Sequence, residues 1–108
     1  MNPVRYGIYV AVLDPTLGGE IAKTRPVVVI SLDAMNRYLD TVVICPLTTR
    51  LHPSWRSRLQ VSCAGRPAEI AVDQIRAITK LRLRQKLDAL STSDAEKLRQ
   101  IIVEMYGN

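Results

Sequence analysis

The strongest constraint on this chain is a series of short apolar runs that end before a helix has room to form. Ile8-Tyr9-Val10-Ala11-Val12-Leu13, Val27-Val28-Val29-Ile30 and Thr41 to Leu47 are rich in β-branched and aromatic residues, which suit a pleated, buried strand. Each run stops at turn formers. Asp14-Pro15-Thr16 and Leu17-Gly18-Gly19 follow the first, Ser31 to Tyr38 the second (with a helical turn around Ala34-Met35-Asn36), and Thr48-Thr49-Arg50 the third. Pro26 falls at the first position of the second run, where its missing N–H is tolerated. After a loop, Leu51-His52-Pro53-Ser54-Trp55, the pattern changes. In Arg56 to Cys63, Ser57, Leu59, Val61 and Cys63 point one way and Arg56, Arg58, Gln60 and Ser62 the other, as in a half-buried strand with a basic-polar outer face. Ala64-Gly65-Arg66-Pro67 is a turn. Ala68 to Val72 and Gln74 to Ile78 are short strands bracketing Asp73, and Lys80 to Leu90 fits a strand or a helical turn equally well.

Helical periodicity arrives only at the end. Ser91, with Asp94 three residues on, makes a start resembling a capping box, and Ser93 with Glu96 is an equal alternative. Ala95, Leu98, Ile101, Ile102 and Met105 share one helical face, and Gly107 is a natural stop. About five to seven short strands and one terminal helix, with no crossover helices between strands, predict a mainly β fold. The expectation is a small barrel with a C-terminal helix rather than a βαβ sheet. The 108 residues make one domain, 1–108. No apolar run approaches the roughly 20 residues of a membrane helix, and the first six residues lack a signal-peptide pattern. The expected setting is the cytoplasm, without a membrane partner.

Arginine supplies most of the positive side of a formal charge of +5, a balance that suits a polyanionic partner. Cys45 and Cys63 are far apart and lack a clustered histidine, so two buried free thiols are expected and no metal site. His52 is the one histidine of the chain, which excludes a two-histidine acid–base nuclease. Three places offer chemistry. Arg25 stands at the root of a stiff strand, with Glu20 and Lys23 nearby, and an ion pair with Glu20 or Asp14 is the bland alternative. Thr48 and Thr49 close a strand, where hydroxyls cap backbone or bind phosphate oxygens. Asp73 interrupts an apolar stretch and needs a partner, for which Arg76 or Arg25 is available. Trp55, among Pro53, Arg56 and Arg58, is expected mainly as an outlying core residue, with stacking on a nucleobase the alternative.

Taken together these segments resemble a known family. Leu13-Asp14-Pro15-Thr16-Leu17-Gly18-Gly19-Glu20, followed by Lys23-Thr24-Arg25-Pro26-Val27-Val28-Val29-Ile30-Ser31, is similar to the N-terminal signature of the MazF/PemK toxins. Cys45-Pro46-Leu47-Thr48-Thr49 resembles the second motif, Val72-Asp73-Gln74-Ile75-Arg76 the third, and Leu90-Ser91 before the last helix the family's ending. The resemblance implies an SH3-like antiparallel β-barrel of the CcdB/PemK type with a C-terminal α-helix, and a homodimer with an RNA groove. It implies sequence-specific cleavage of single-stranded RNA, often mRNA, without metal or cofactor. The substrate's 2′-hydroxyl would be the nucleophile, leaving a 2′,3′-cyclic phosphate and a 5′-hydroxyl. The partner it implies is a cognate antitoxin with an extended acidic segment.

By position, Arg25 and Thr48 match the residues most often held catalytic, Glu20 an acidic residue near the site, and Asp73 a proposed base. RNA contacts are expected from Thr16, Lys23, Thr49, Arg50, Trp55, Arg56, Gln74 and Arg76. The chain departs from the family at Tyr6-Gly7, where Gly-Asp is usual, at Val10 and Val12, where a tryptophan and an acid are usual, and in loop 50–56. Two other readings compete. One is a CcdB-type gyrase-poisoning toxin without nuclease activity, which acts through a helix ending in tryptophan, whereas this chain ends Tyr106-Gly107-Asn108. The other is an RNA-binding barrel without catalysis.

Overall fold

The computed structural model describes residues 2–14, 17–21 and 23–107. Its strands are β1 (Gly7–Val12), β2 (Thr24–Val29), β3 (Thr41–Thr48), β4 (Arg58–Cys63), β5 (Arg66–Ala71), β6 (Arg76–Thr79) and β7 (Leu83–Ala89). A short helix α1 (Asp33–Tyr38) joins β2 to β3, and the long helix α2 (Thr92–Tyr106) ends the described chain. The strands form one antiparallel sheet in the order β4-β5-β3-β2-β1-β7. β3 is shared: Thr41–Ile44 pair with β6, and Leu47 and Thr48 with β5. The sheet curls into a half-barrel, and Ala64 N–H, in the β4–β5 turn, reaches Asp88 Oδ2 on β7 at 2.9 Å.

The apolar runs are continuous because β1, β2 and β3 are buried on both faces. One core holds Ile8, Val28, Cys45 and Leu47 with Val61, Ile70 and Leu98. The other takes the alternate positions Tyr9, Ala11, Val27, Val29 and Ile44. Helix α2 covers the first core by burying Ala95 and Leu98, and it starts at Ser91, whose Oγ accepts the Asp94 N–H at 3.0 Å. The Ser93 alternative is not used. The helical turn expected after β2 is α1. Its buried Asn36 ties to Ser31, accepting from Ser31 Oγ at 2.6 Å and donating to the Ser31 carbonyl at 3.0 Å.

One expectation is corrected and two are refined. Pro26 is the third residue of β2, not the first; it pairs with Val10, and the ladder to β3 begins only at Val27, so no N–H is missed there. The ambiguous stretch after residue 79 is both things in turn, a 3-10 turn at Lys80–Arg82 and then β7. The alternation along β4 is as expected, with Val61 and Cys63 buried and Gln60 and Ser62 exposed; only the Arg58 side chain departs from it, 7% exposed and folded over a buried carboxylate on β5.

Replacing the Ser91 cap by alanine is expected to cost about 1 kcal/mol. Leu98→Ala, which empties part of the first core, is expected to cost about 2–5 kcal/mol. Urea denaturation followed by circular dichroism measures both.

Candidate active site

The β2–β3 register builds the site. Val29 faces Ile44, Val28 faces Cys45 and Val27 faces Pro46. Arg25 lies two residues before Val27 on β2, and Thr48 two residues after Pro46 on β3. Both line one open cleft of about 480 Å³, together with the loop residues Gly19, Glu20 and Ile21. Thr49, Arg50, His52, Arg58 and Gln74 complete its lining. Thr48 Oγ1 accepts the Arg50 N–H at 3.1 Å, which turns the chain out of β3 and leaves the hydroxyl hydrogen to donate elsewhere.

The 17–21 loop is tethered from the far side. Gln74 Oε1 accepts the Ile21 N–H at 2.7 Å and its amide nitrogen donates to the Gly19 carbonyl at 3.5 Å. Glu20 accepts the Leu17 N–H at 3.1 Å and lies 3.6 Å from the Arg76 guanidinium. Arg76 therefore braces the loop and is not part of the cleft lining.

Sequence reasoning missed the opposite wall. Glu69 on β5 is fully buried, cross-strand from Thr48 on β3 and from Gln60 on β4. Its Oε1 accepts from the His52 N–H at 2.5 Å and from Gln60 at 2.6 Å, and its Oε2 from Arg58 at 2.7 Å. Burial alone pushes this carboxyl up; the hydrogen bonds from Gln60, His52 and Arg58, with the charge of Arg58, outweigh burial and hold it below the ordinary range. A signal was available, because a lone carboxylate in Ala68-Glu69-Ile70-Ala71-Val72 needs a partner as much as Asp73 does.

Arg58 also pairs with Asp73, donating from Nε to Oδ1 at 2.8 Å. The partner of Asp73 is therefore Arg58, not Arg76 or Arg25; a strand reversal brings it closer than either residue nearby in sequence or at the strand root. Desolvation raises the Asp73 carboxyl, and the bonds from Arg58 and Ser57 reverse that to a net lowering.

Of the residues singled out in the sequence, Arg25, Thr48, Glu20, Thr49, Arg50 and Gln74 meet in the cleft. Asp73 stands behind it, joined through Arg58. Lys23 is exposed in a left-handed backbone conformation (φ 66°), its N–H on Asp14 Oδ1 at 2.8 Å, and does not line the cleft. Arg56 pairs with Glu104 of α2. Thr16 lies outside the described residues. Trp55 is not a core residue: it is 48% exposed, because the turn closed by its N–H on the His52 carbonyl at 3.0 Å holds it at the surface. Both cysteines are free and buried. Burial first, and the Asp73 charge second, push the Cys45 thiol up to about 12, which keeps it unreactive. Among the described residues no group of three or more His, Cys, Asp or Glu is placed to hold a metal ion, and no helix is long and apolar enough to cross a membrane.

Residues 4–106 match the family described as PemK-like, MazF-like toxin of type II toxin–antitoxin system. A curated relative, Endoribonuclease MazF of Staphylococcus saprophyticus, is 30% identical over 106 residues, covering 91% of this chain and 86% of that protein. Among solved structures, MazF from Deinococcus radiodurans superposes with a TM-score of 0.88 at 19% identity, covering 100% of this chain and 99% of that one. A mycobacterial endoribonuclease in complex with its cognate antitoxin gives 0.81 at 20% identity, covering 97% and 95%. The curled antiparallel sheet with its terminal helix is thus the MazF fold. The chain belongs to the PemK-like, MazF-like toxins of type II toxin–antitoxin systems.

Glu69→Ala leaves Arg58 with one of its two carboxylates and is expected to cost about 1–3 kcal/mol through the donors left unsatisfied. Because the Glu69 carboxyl titrates lower in the folded state, its contribution is full above the unfolded value of about 4.3 and is lost as pH falls through the folded one. Glu69→Gln is expected to flatten that part of the acid limb in a plot of unfolding free energy against pH.

Proposed function

We propose that this toxin is an endoribonuclease that cuts single-stranded RNA, mRNA included, at short sequence motifs and without a metal ion. The observation that carries the reading is the meeting of Arg25 and Thr48 in one polar cleft. The substrate's 2′-oxygen attacks the adjacent phosphorus and the bond to the 5′-oxygen breaks. The products are a 2′,3′-cyclic phosphate and a 5′-hydroxyl. Negative charge grows on the non-bridging oxygens on the way, and a guanidinium, planar and permanently charged, grips two of them at once. Thr48 donates its hydroxyl hydrogen to one of the same oxygens.

Glu20 takes the 2′-proton, since it lines the cleft while Asp73 is committed to Arg58 behind it. The leaving 5′-oxygen takes a proton from solvent. Thr49, Arg50 and Gln74 hold the flanking backbone. A second copy of the chain extends the groove, and an antitoxin with an extended acidic segment blocks it; the mycobacterial endoribonuclease solved with its cognate antitoxin supports an antitoxin partner. The setting is the cytoplasm, where mRNA is available.

Purified protein is expected to cut single-stranded RNA in excess EDTA, with cyclic phosphate ends found by mass spectrometry. Arg25→Ala and Thr48→Ala are each expected to lower the rate about 10²–10³-fold or more while keeping the circular dichroism spectrum. Cutting that disappears with the chelator, or variants that cut normally, would overturn the mechanism.

A further inference from the structure

His52 and Trp55 form a flat aromatic stack at the edge of the cleft. Their ring centroids are 3.8 Å apart and their planes differ by 7°. His52 is part of the cleft lining, and Trp55 is half exposed. Keeping a tryptophan in water forgoes the burial that large aromatic side chains ordinarily gain, and here the exposed arrangement is held from several directions. The turn is closed by the Trp55 N–H on the His52 carbonyl and by the Arg58 N–H on the Trp55 carbonyl at 3.2 Å. The His52 N–H is pinned to the buried Glu69 at 2.5 Å. The Arg58 guanidinium, clamped between Glu69 and Asp73, lies 4.8 Å from the centre of the tryptophan ring.

We infer that the His52–Trp55 stack is a nucleobase subsite, in which a base next to the scissile phosphate extends the pile of rings. The inference rests on the proposed RNA cleavage. Flat π surfaces beside a phosphate-binding cleft suit a single-stranded nucleic acid, whose bases are free to stack. A rigid platform adds to this because little side-chain entropy remains to be lost on binding. Glu69 and Asp73 act here as positioning residues: they hold Arg58, which supports the tryptophan ring.

Trp55 is the one tryptophan of the chain, so its emission reports on this position alone. The probe is a mixed-sequence RNA 12-mer with 2′-O-methyl riboses, which lacks the attacking hydroxyl and is not cut. Its control is an abasic 12-mer with the same backbone. The base-bearing probe is expected to quench the emission, while the abasic one binds more weakly and leaves it unchanged. Trp55→Ala and His52→Ala are expected to weaken binding of the base-bearing probe about 5- to 100-fold and to leave the abasic probe's affinity as it was. The salt dependence of binding is expected to stay the same, because no phosphate contact is lost. Trp55→Phe is expected to restore most of the affinity. If the base-bearing probe binds with unchanged emission and Trp55→Ala binds it as the unmodified protein does, the subsite is wrong and the cleavage reading survives. If neither unmodified RNA is cut nor the probe bound, both fall.

Discussion

The register between β2 and β3 is the constraint on which the rest depends. A shift by one residue would exchange the faces of every side chain on the strand. It would move Val28 out of the core it shares with Cys45 and Leu47, and Val27 and Val29 out of the other. Because both faces are buried, both oppose the slip. Arg25 and Thr48 stand on the same two strands just beyond the paired apolar part, so packing remote from the cleft fixes the strands whose ends carry a guanidinium and a hydroxyl into it. The polar ends of two stiff strands are placed by hydrophobic burial.

A second constraint is electrostatic. Glu69 has given up all contact with water, a step that is costly for an ion unless its lone pairs are filled. Three donors fill them: a backbone N–H, an amide and a guanidinium. Each donor comes from a different part of the wall, so satisfying one carboxylate orders the 50–56 loop, the start of β4 and the Arg58 head together. Asp73 takes the remaining edge of the same guanidinium. The pairing neutralises both carboxylates behind the cleft, so that Arg58 is the charged member of the group that lines it.

Most of the architecture was legible in the chain. Short β-branched runs with turn residues between them marked the strands, and Ser91, Leu98 and Gly107 marked the helix. The bond from Asp94 N–H to Ser91 confirms its start. Arg25 and Thr48 were legible as strand-end residues, though their meeting depended on a register that only the fold displays. Glu69 was missed because alternation along β4 was read as a boundary with solvent. The polar face of β4 by itself does not show that its partner carboxylate lies eleven residues away on the next strand; the signal lay in β5, where Glu69 interrupts an apolar run. The same blindness gave Asp73 the wrong arginine. Trp55 was misplaced for a different reason: apolar size predicts burial, whereas a tight turn that stacks one ring on another is set by backbone geometry and leaves no periodic trace.

The terminal helix lies outside the cleft, yet it is tied to the segments behind both walls. Tyr106 donates its hydroxyl to the Val72 carbonyl at 2.9 Å, at the head of the 3-10 turn that carries Asp73 and Gln74. Glu104 pairs with Arg56 beside the loop bearing Trp55. Gln74 in turn holds the 17–21 loop, so one chain of contacts runs from the helix end to Glu20. The exposed pair contributes little by itself. The hydroxyl bond and the burial of Leu98 carry the coupling, since they fix the helix against the inner core and hence the position of the turn. Loosening α2 would then be felt in the cleft as a loss of loop order, with Arg25 and Thr48 still in place on their strands. The placing of Arg25 and Thr48 thus rests on the sheet, and the placing of Glu20 and its loop on the docking of the helix.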